Sequence, residues 1–522
     1  MNKEKLKSLL LVFMIITSVV LTQRVWYYSP LQILSPEASY LDDTDELLME
    51  ARAQVIRPKR MVAGFGGGTE NSYYAILTPS DLEWFWQESQ VILMEHFLLE
   101  PSVQVVSYDE YRRVRGSRSI ELHFGENFPS ALLSILFDQQ ENQVAGVMNQ
   151  IKTILIPARY QGIIYLTDET DTVHEFRLRQ AEIRHDSDPG VLLDSLPVNS
   201  YVKYYPLFSY VGNETLLPLT YQLNKPRLFT ESEIDAGSVE QMNRWAGRFF
   251  SENFDFVKTI QETGGTRIYM YGYGQQEVRI NNRGRLEYSA ETGNQSSSSV
   301  GRSLDAALLF MAAHNGLNHD LTLKEVRLLE VDDNRRGYLF GFGYSLRDLP
   351  VELERNQHAV EIEVFGSKIS SYRTFTRRAM GLPEVMPDEG ILPPHRLIED
   401  NFSDLLDEMN EAVPADEEAS PPEEAVPDTD GAEPEVETSA VTSPEVPTVE
   451  MLESALTDSE IAGEDLLRAI QNIELVYLDR EETNRRELMI PAWRITIGQR
   501  IYYFDAHEGV RLHSVTLSGR DV

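Results

Sequence analysis

Between Arg396 and Arg468 the chain carries 23 aspartates or glutamates and no lysine or arginine. Its centre, 412–448, repeats Pro, Glu, Ala, Val and Thr, as in Ala419-Ser420-Pro421-Pro422-Glu423-Glu424-Ala425-Val426-Pro427. Such a stretch cannot bury enough apolar surface to offset chain entropy. It predicts an acidic, Pro-rich disordered linker over 399–450 that divides a long block from a short C-terminal one. A calcium cage is the competing use of so many carboxylates, but it needs fixed oxygens around a tight Gly turn, which Pro-rich coil lacks. The whole chain of 522 residues has 83 acidic against 47 basic side chains, a formal charge of -36. About two thirds of that excess lies in the window. A balance this negative argues against nucleic acid as a partner, because that affinity comes mostly from Lys and Arg on phosphates. The 42% of hydrophobic residues suffice for real cores, and the length suggests several domains. Zero cysteines exclude disulfides, Cys-bound zinc, thiol nucleophiles and a lipidated cysteine.

The N-terminus sets the expected compartment. Three lysines in Met1–Lys7 precede an uncharged core, Leu9-Leu10-Leu11-Val12-Phe13-Met14-Ile15-Ile16. As a helix, Leu6 to Tyr28 is about 35 Å long, enough for a hydrocarbon core of about 30 Å. Trp26-Tyr27-Tyr28 supplies an aromatic belt, and the lysines predict an inside N-terminus. Bulky Val19, Val20, Leu21, Arg24 and Trp26 stand where a signal peptidase wants small residues. The reading is a signal anchor over 1–29, single-pass, with the bulk of the chain outside the cytoplasm. Contact between single spans relies on close packing and hydroxyl side chains. Met14, Thr17, Ser18 and Leu21 therefore form the expected interaction face, although the two hydroxyls could equally bond their own i-4 carbonyls.

A first α+β domain is expected over 37–190. Pro79-Ser80-Asp81-Leu82 opens a helix running through Leu99. Ser119 to Phe124, Thr153 to Pro157, Gly162 to Leu166 and Thr172 to Arg177 read as strands. The Gly-rich run after Val55 reads as the end of a strand, because no Gly-Lys-Ser/Thr follows to make it a phosphate loop. A second α+β domain, 197–395, contains a Tyr-rich alternating run from Arg267 to Ile280, then the turn Asn281-Asn282-Arg283-Gly284, which signals a hairpin. Tyr269, Tyr271 and Tyr273 are its candidate interface residues. A helix at Leu304 to His314 and strands at Val326 to Val331, Gly337 to Tyr344 and Val360 to Phe365 follow. After the linker, within 451–522, a helix at Glu464 to Ile473 precedes strands at Leu475 to Leu478, Met489 to Thr496 and Arg500 to Val510. Helix and three strands thus recur in both halves.

Chemistry is sparse. The ten histidines are scattered, and the nearest sets are His185 with Asp186 and Asp188, His314 with His319, and His507 with His513. Neither a His-Glu-x-x-His pair nor a Gly-x-Ser-x-Gly elbow occurs, so the expectation is no catalytic residue, no metal and no cofactor.

Tyr269-Met270-Tyr271-Gly272-Tyr273-Gly274-Gln275, Pro491-Ala492-Trp493-Arg494 and the Lys-rich anchored start together resemble the YycH family. The later motifs are similar to those of the related YycI proteins, and Phe504-Asp505-Ala506 with Gly509 resembles the end of a PepSY module. The resemblance implies an extracytoplasmic regulator of the WalK-WalR (YycG-YycF) two-component system, which governs cell-wall metabolism in low-GC Gram-positive bacteria. The partners implied are a WalK/YycG-like sensor histidine kinase, a YycI-like protein and the membrane. The fold expected is α+β: a transmembrane helix, then an extracytoplasmic multi-domain region with antiparallel sheets and a C-terminal PepSY-like or YycI-like module. The competing reading is a PepSY-like binding or peptidase-inhibiting protein.

Overall fold

The computed structural model describes Met14, residues 41–411 apart from 67–72, 78, 140–141, 160, 169, 180–187, 198–199, 222–224, 298, 315, 318–319, 333–334, 356 and 382–389, and residues 462–517. The chain divides into two compact units, Met1–Ala51 and Arg52–Val522. Of the expected transmembrane face only Met14 is described, helical and exposed. Thr17, Ser18 and Leu21 lie outside the described residues, as does the linker centre, 412–448. Among the described residues no helix is long and apolar enough to cross a membrane.

Two large sheets carry the second unit, in an α+β arrangement that is antiparallel except at one pair. After helix α1 (Leu41–Val55), the first sheet contains β1 (Arg60–Phe65), β2 (Tyr74–Ile76), β3 (Ser102–Val106), β4 (Arg118–His123), β5 (Thr153–Pro157), β6 (Ile163–Thr167), β7 (Val173–Arg177), β8 (Tyr204–Tyr205) and β9 (Leu217–Pro218). Their order is β3-β7-β6-β5-β4-β1-β2-β8-β9. Central β4 and β5 are buried on both faces. Helix α2 (Pro79–Leu98) covers this sheet with a stripe of buried Leu82, Phe85, Trp86, Ile92, Leu93 and Phe97, the 3.6-residue spacing of a helix facing a core. Trp86 meets Phe124 edge-on at 6.1 Å.

The second sheet begins with β10 (Leu228–Ser232). It continues through β11 (Lys258–Gln261), β12 (Arg267–Tyr271), β13 (Gln276–Ile280), β14 (Leu286–Ala290), β15 (Leu321–Asp332), β16 (Arg335–Leu346), β17 (Leu349–Leu353), β18 (Val360–Phe365), β19 (Lys368–Thr374) and β20 (Arg377–Ala379). Helices α3 (Val239–Phe250) and α4 (Val300–Ala313) pack on it. Ser238 caps α3 by accepting from Gln241 N, and Met242, Ala246, Phe249 and Phe250 form its buried face. Phe249 stacks on Tyr288 at 5.2 Å and on His314 at 4.4 Å.

Past the linker come α5 (Ala462–Ala469), β21 (Ile470–Asp479), β22 (Glu487–Ile497), β23 (Arg500–Asp505) and β24 (Arg511–Thr516). β21 pairs in parallel with β17, and β22 pairs with β10. The C-terminal strands are thus hydrogen-bonded into the sheet begun by β10. Just before the linker, the helix Phe402–Glu411 occupies the first part of 399–450. Its Glu408 meets Arg500 at 3.0 Å and Arg511 at 2.6 Å, which ties that helix to the C-terminal strands.

Three local expectations change. The run from Arg267 to Ile280 is not one strand but a hairpin, because Gly272, Tyr273 and Gly274 take φ of 60°, 57° and 96° and reverse the chain. Helix α5 stops at Ala469, so Ile470–Ile473 is strand. Asn213 donates to the carbonyls of Leu467 and Ile470 at 2.6 and 2.8 Å and satisfies the helix end. Finally, Val55 closes a helix rather than opening a strand, which begins only at Arg60.

Candidate functional site: a charged cavity between the two sheets

The two sheets are joined by backbone. After β4 the chain runs along β15, with Glu126 N donating to Lys324 O at 2.7 Å and Val326 N to Glu126 O at 3.1 Å. The approach is so close that a Cβ on Gly125 would lie 2.6 Å from Lys324 O, so only glycine fits. Side chains reinforce the joint: Arg52 forks onto both Asp305 oxygens at 2.7 Å, and Thr215 donates to Ile470 O at 3.1 Å.

Beside this joint the sheets stand apart and leave a cavity of about 490 Å³. The entry to β1 contributes Lys59 and Arg60, β15 and β17 contribute Lys324 and Glu352, the residue after β17 is Glu354, and β21 and β22 contribute Glu474 and Arg494. Tyr201, Tyr204, Tyr221 and Tyr503 complete the polar lining, while Leu77, Val202, Leu353 and Ile501 supply apolar wall. Lys59 has much accessible surface, and it lines the cavity.

Charge in this enclosure is partly paired. Lys324 is bound to Glu352 and the buried His358 Nε2 to Glu325 at 2.7 Å. Arg60 donates to Asn472 Oδ1 at 3.2 Å. Burial works to raise the Glu352 carboxyl, but Lys324 and Arg494 outweigh it and the net direction is down. Desolvation by the surrounding wall lowers the Lys59 ammonium against the attraction of Glu474 and Glu126, although the side chain keeps access to water. The Tyr204 phenol is pushed up by burial. Arg494 Nε is buried without a hydrogen-bond partner.

The tyrosines expected to form an interface do not share one surface. Tyr269 is fully buried and donates to Asn243 Oδ1 at 2.8 Å, Tyr271 is half-buried, and Tyr273 is fully exposed at the turn. Phe256, just before β11, is 77% exposed, and the β11–β12 register brings it to the same end of the hairpin. Alternation places residues i and i+2 on one face only while the strand continues, and the glycines end it.

The histidines also separate. His185 and His319 lie outside the described residues. His314 closes α4, its Nδ1 bonded to Phe310 O at 2.7 Å. His507 is buried with Nε2 at 3.0 Å from Lys225 O, and His513 meets Glu354 at the cavity rim at 3.3 Å. Among the described residues no group of three His, Cys, Asp or Glu could hold a metal ion.

Sequence reasoning passed over the cavity. One signal was available: Arg494 interrupts the apolar run Met489–Ile495, and a charge inside a buried strand marks a polar enclosure. No signal ties Lys59, Glu474 and Lys324 together, since they lie far apart in the chain.

Residues 4–184 match the family described as YycH protein, N-terminal domain. No curated protein matches the chain. Among solved structures, an uncharacterized protein from Eubacterium rectale ATCC 33656 is similar at a TM-score of 0.32 and 11% identity, covering 55% of this chain and 86% of that one. The likeness is too slight to carry an argument. The family match takes in β1 to β7 and ends before the C-terminal strands, so it leaves their YycI-like or PepSY-like character untouched. Over residues 4–184, about a third of its length, the chain is similar to the N-terminal domain of YycH proteins.

Proposed function

We propose that the chain is a membrane-anchored, extracytoplasmic regulator of a WalK/YycG-type sensor kinase and acts by protein contact, without catalysis. The observation that carries this reading is the YycH match over residues 4–184, which begins inside the Lys-rich start and runs across the apolar segment into the first sheet. At the level of the family, the function is regulation of the YycG/WalK system. On this proposal the anchor spans the membrane once with its N-terminus inside, and its face around Met14, Thr17, Ser18 and Leu21 meets the kinase or a YycI-like helix. The exposed pair Tyr273 and Phe256 offers a second contact, since aromatic side chains that stand in water are the usual anchors of interfaces. A regulator of this kind needs only a different affinity for two kinase states.

Deleting the gene and measuring transcription of the kinase's targets tests the reading. A rise means inhibition, a fall means activation, and unchanged transcription refutes it. Replacing Thr17 and Ser18 together by Leu should weaken association with the kinase or YycI-like helix in a membrane two-hybrid assay. Undiminished association would move the interface to the hairpin tip.

A further inference from the structure

We propose that the cavity between the sheets binds a small zwitterion of the short-peptide class, its carboxylate held by Lys59, Arg60 and Arg494 and its ammonium by Glu474. This inference does not rest on the kinase reading and stands or falls separately.

Placement of the charges is the first ground. Among the described residues, Lys59 and Glu474 form no ion pair or side-chain hydrogen bond within contact distance, although each lies in the other's field. Arg494 holds its Nε buried and unpartnered. Long side chains of opposite sign that line one enclosure ordinarily close on one another. Here the entry to β1 carries the ammonium, β21 the carboxylate and β22 the guanidinium, so the sheet framework holds them apart. An enclosure that keeps both signs spaced is complemented by a ligand that carries both.

The lining and the volume narrow the class. A multiply charged anion is disfavoured, because the cations share the wall with Glu474, Glu126 and Glu354. The volume of about 490 Å³ falls in the range of roughly 300–1,000 Å³ typical of small-molecule sites. Apolar Leu77, Val202, Leu353 and Ile501 suit the stretch between the two charged ends of a free peptide. Lys59 is well placed to select a carboxylate. Its ammonium lines the cavity without an ion pair among the described residues, and an arriving carboxylate supplies one.

The test uses the full-length chain purified in a non-ionic detergent. Trialanine, N-acetyl-trialanine and trialanine amide are titrated at millimolar concentration by calorimetry and by thermal melting. Trialanine should bind and raise the melting temperature, and each blocked peptide should bind about tenfold more weakly or worse, the cost of leaving a buried charge without its partner. In Lys59→Met the preference for free carboxylate over amide should disappear while the preference for free amine over acetyl remains. A merely structural role for Lys59 would weaken all three peptides alike. Absence of binding by trialanine, or equal binding of all three peptides, means that the cavity holds only water and overturns the proposal. If Lys59→Met does not fold, the wild-type comparison decides alone.

Discussion

His96 is buried between two carbonyls, with Nδ1 3.3 Å from Ile92 O and Nε2 3.2 Å from Gly162 O, and burial pushes its pKa down to about 4. Burial does the same to His123, also to about 4, against the attraction of Glu121. Burial raises Glu121, but Arg115 at 2.6 Å and His123 outweigh it and hold the carboxyl at about 2. The histidines favour folding when neutral, so their contribution is present above about pH 6.5 and is lost as pH falls through 4. Glu121 contributes above about pH 4.5 and loses that contribution as pH falls through 2. Asp479 runs the other way: burial pushes it up to about 6 despite Arg377, so its contribution is present below about pH 3.8 and is lost as pH rises through 6. Between pH 6.5 and 4 two histidines oppose one aspartate, and stability should fall, with His96 alone supplying on the order of 3 kcal/mol. Urea midpoints at pH 7 and pH 4.5 check this, and His96→Gln should flatten the difference. Arg377 is fully buried, 2.7 Å from Asp479 and 2.6 Å from Glu487. Arg377→Met leaves both carboxylates uncompensated and should cost about 3–5 kcal/mol, read as a shift in the denaturation midpoint at neutral pH.

At the scale of elements, local preference and tertiary pairing compete. The hairpin β13–β14 is readable from Asn281 and Gly284. The Asn281 side chain accepts from the N–H of Arg283 and Arg285 at 2.9 and 3.0 Å, and Gly284 has φ 92°. The same glycine meets a second demand invisible in the sequence, since a Cβ there would lie 2.3 Å from Ser232 Oγ. The tight turn between β16 and β17 carried no such signal, because Arg347 and Asp348 occupy its two positions with φ 47° and 66°. Two-residue turns of this hand favour Asn-Gly. Asp348→Gly should therefore stabilise the chain by about 0.5 kcal/mol, as relief of the left-handed backbone exceeds the added chain entropy. A small rise in the thermal midpoint is the readout. Helix α5 shows the opposite outcome: Ile470 and Ile473 suit either state, and pairing with Ile497 and Ile495 makes them strand.

For the whole molecule, β21 and β22 are decisive because they close the sheet against β17 and β10 from far away in sequence. A chain ending at Glu411 would leave those edges unpaired. Its second sheet should lose cooperative melting and amide protection, whereas β4 to β7 should keep theirs. Hydrogen exchange on the truncated chain measures both, and equal protection in the second sheet would mean that the C-terminal strands are an appendage. By itself the sequence determined the α+β class, the strands β4 to β7 and the helix over Pro79–Leu98. Each of these rests on periodicity, caps or motif within a short window, where side-chain pattern and backbone geometry are directly linked. Only the tertiary structure decided that Tyr269 is core while Tyr273 stands in solvent, that the C-terminal strands complete a distant sheet, and that Lys59, Glu474 and Arg494 share one cavity. The physical reason is that long-range strand pairing is chosen by what each edge and face can bury, and no local spacing encodes which partner that will be.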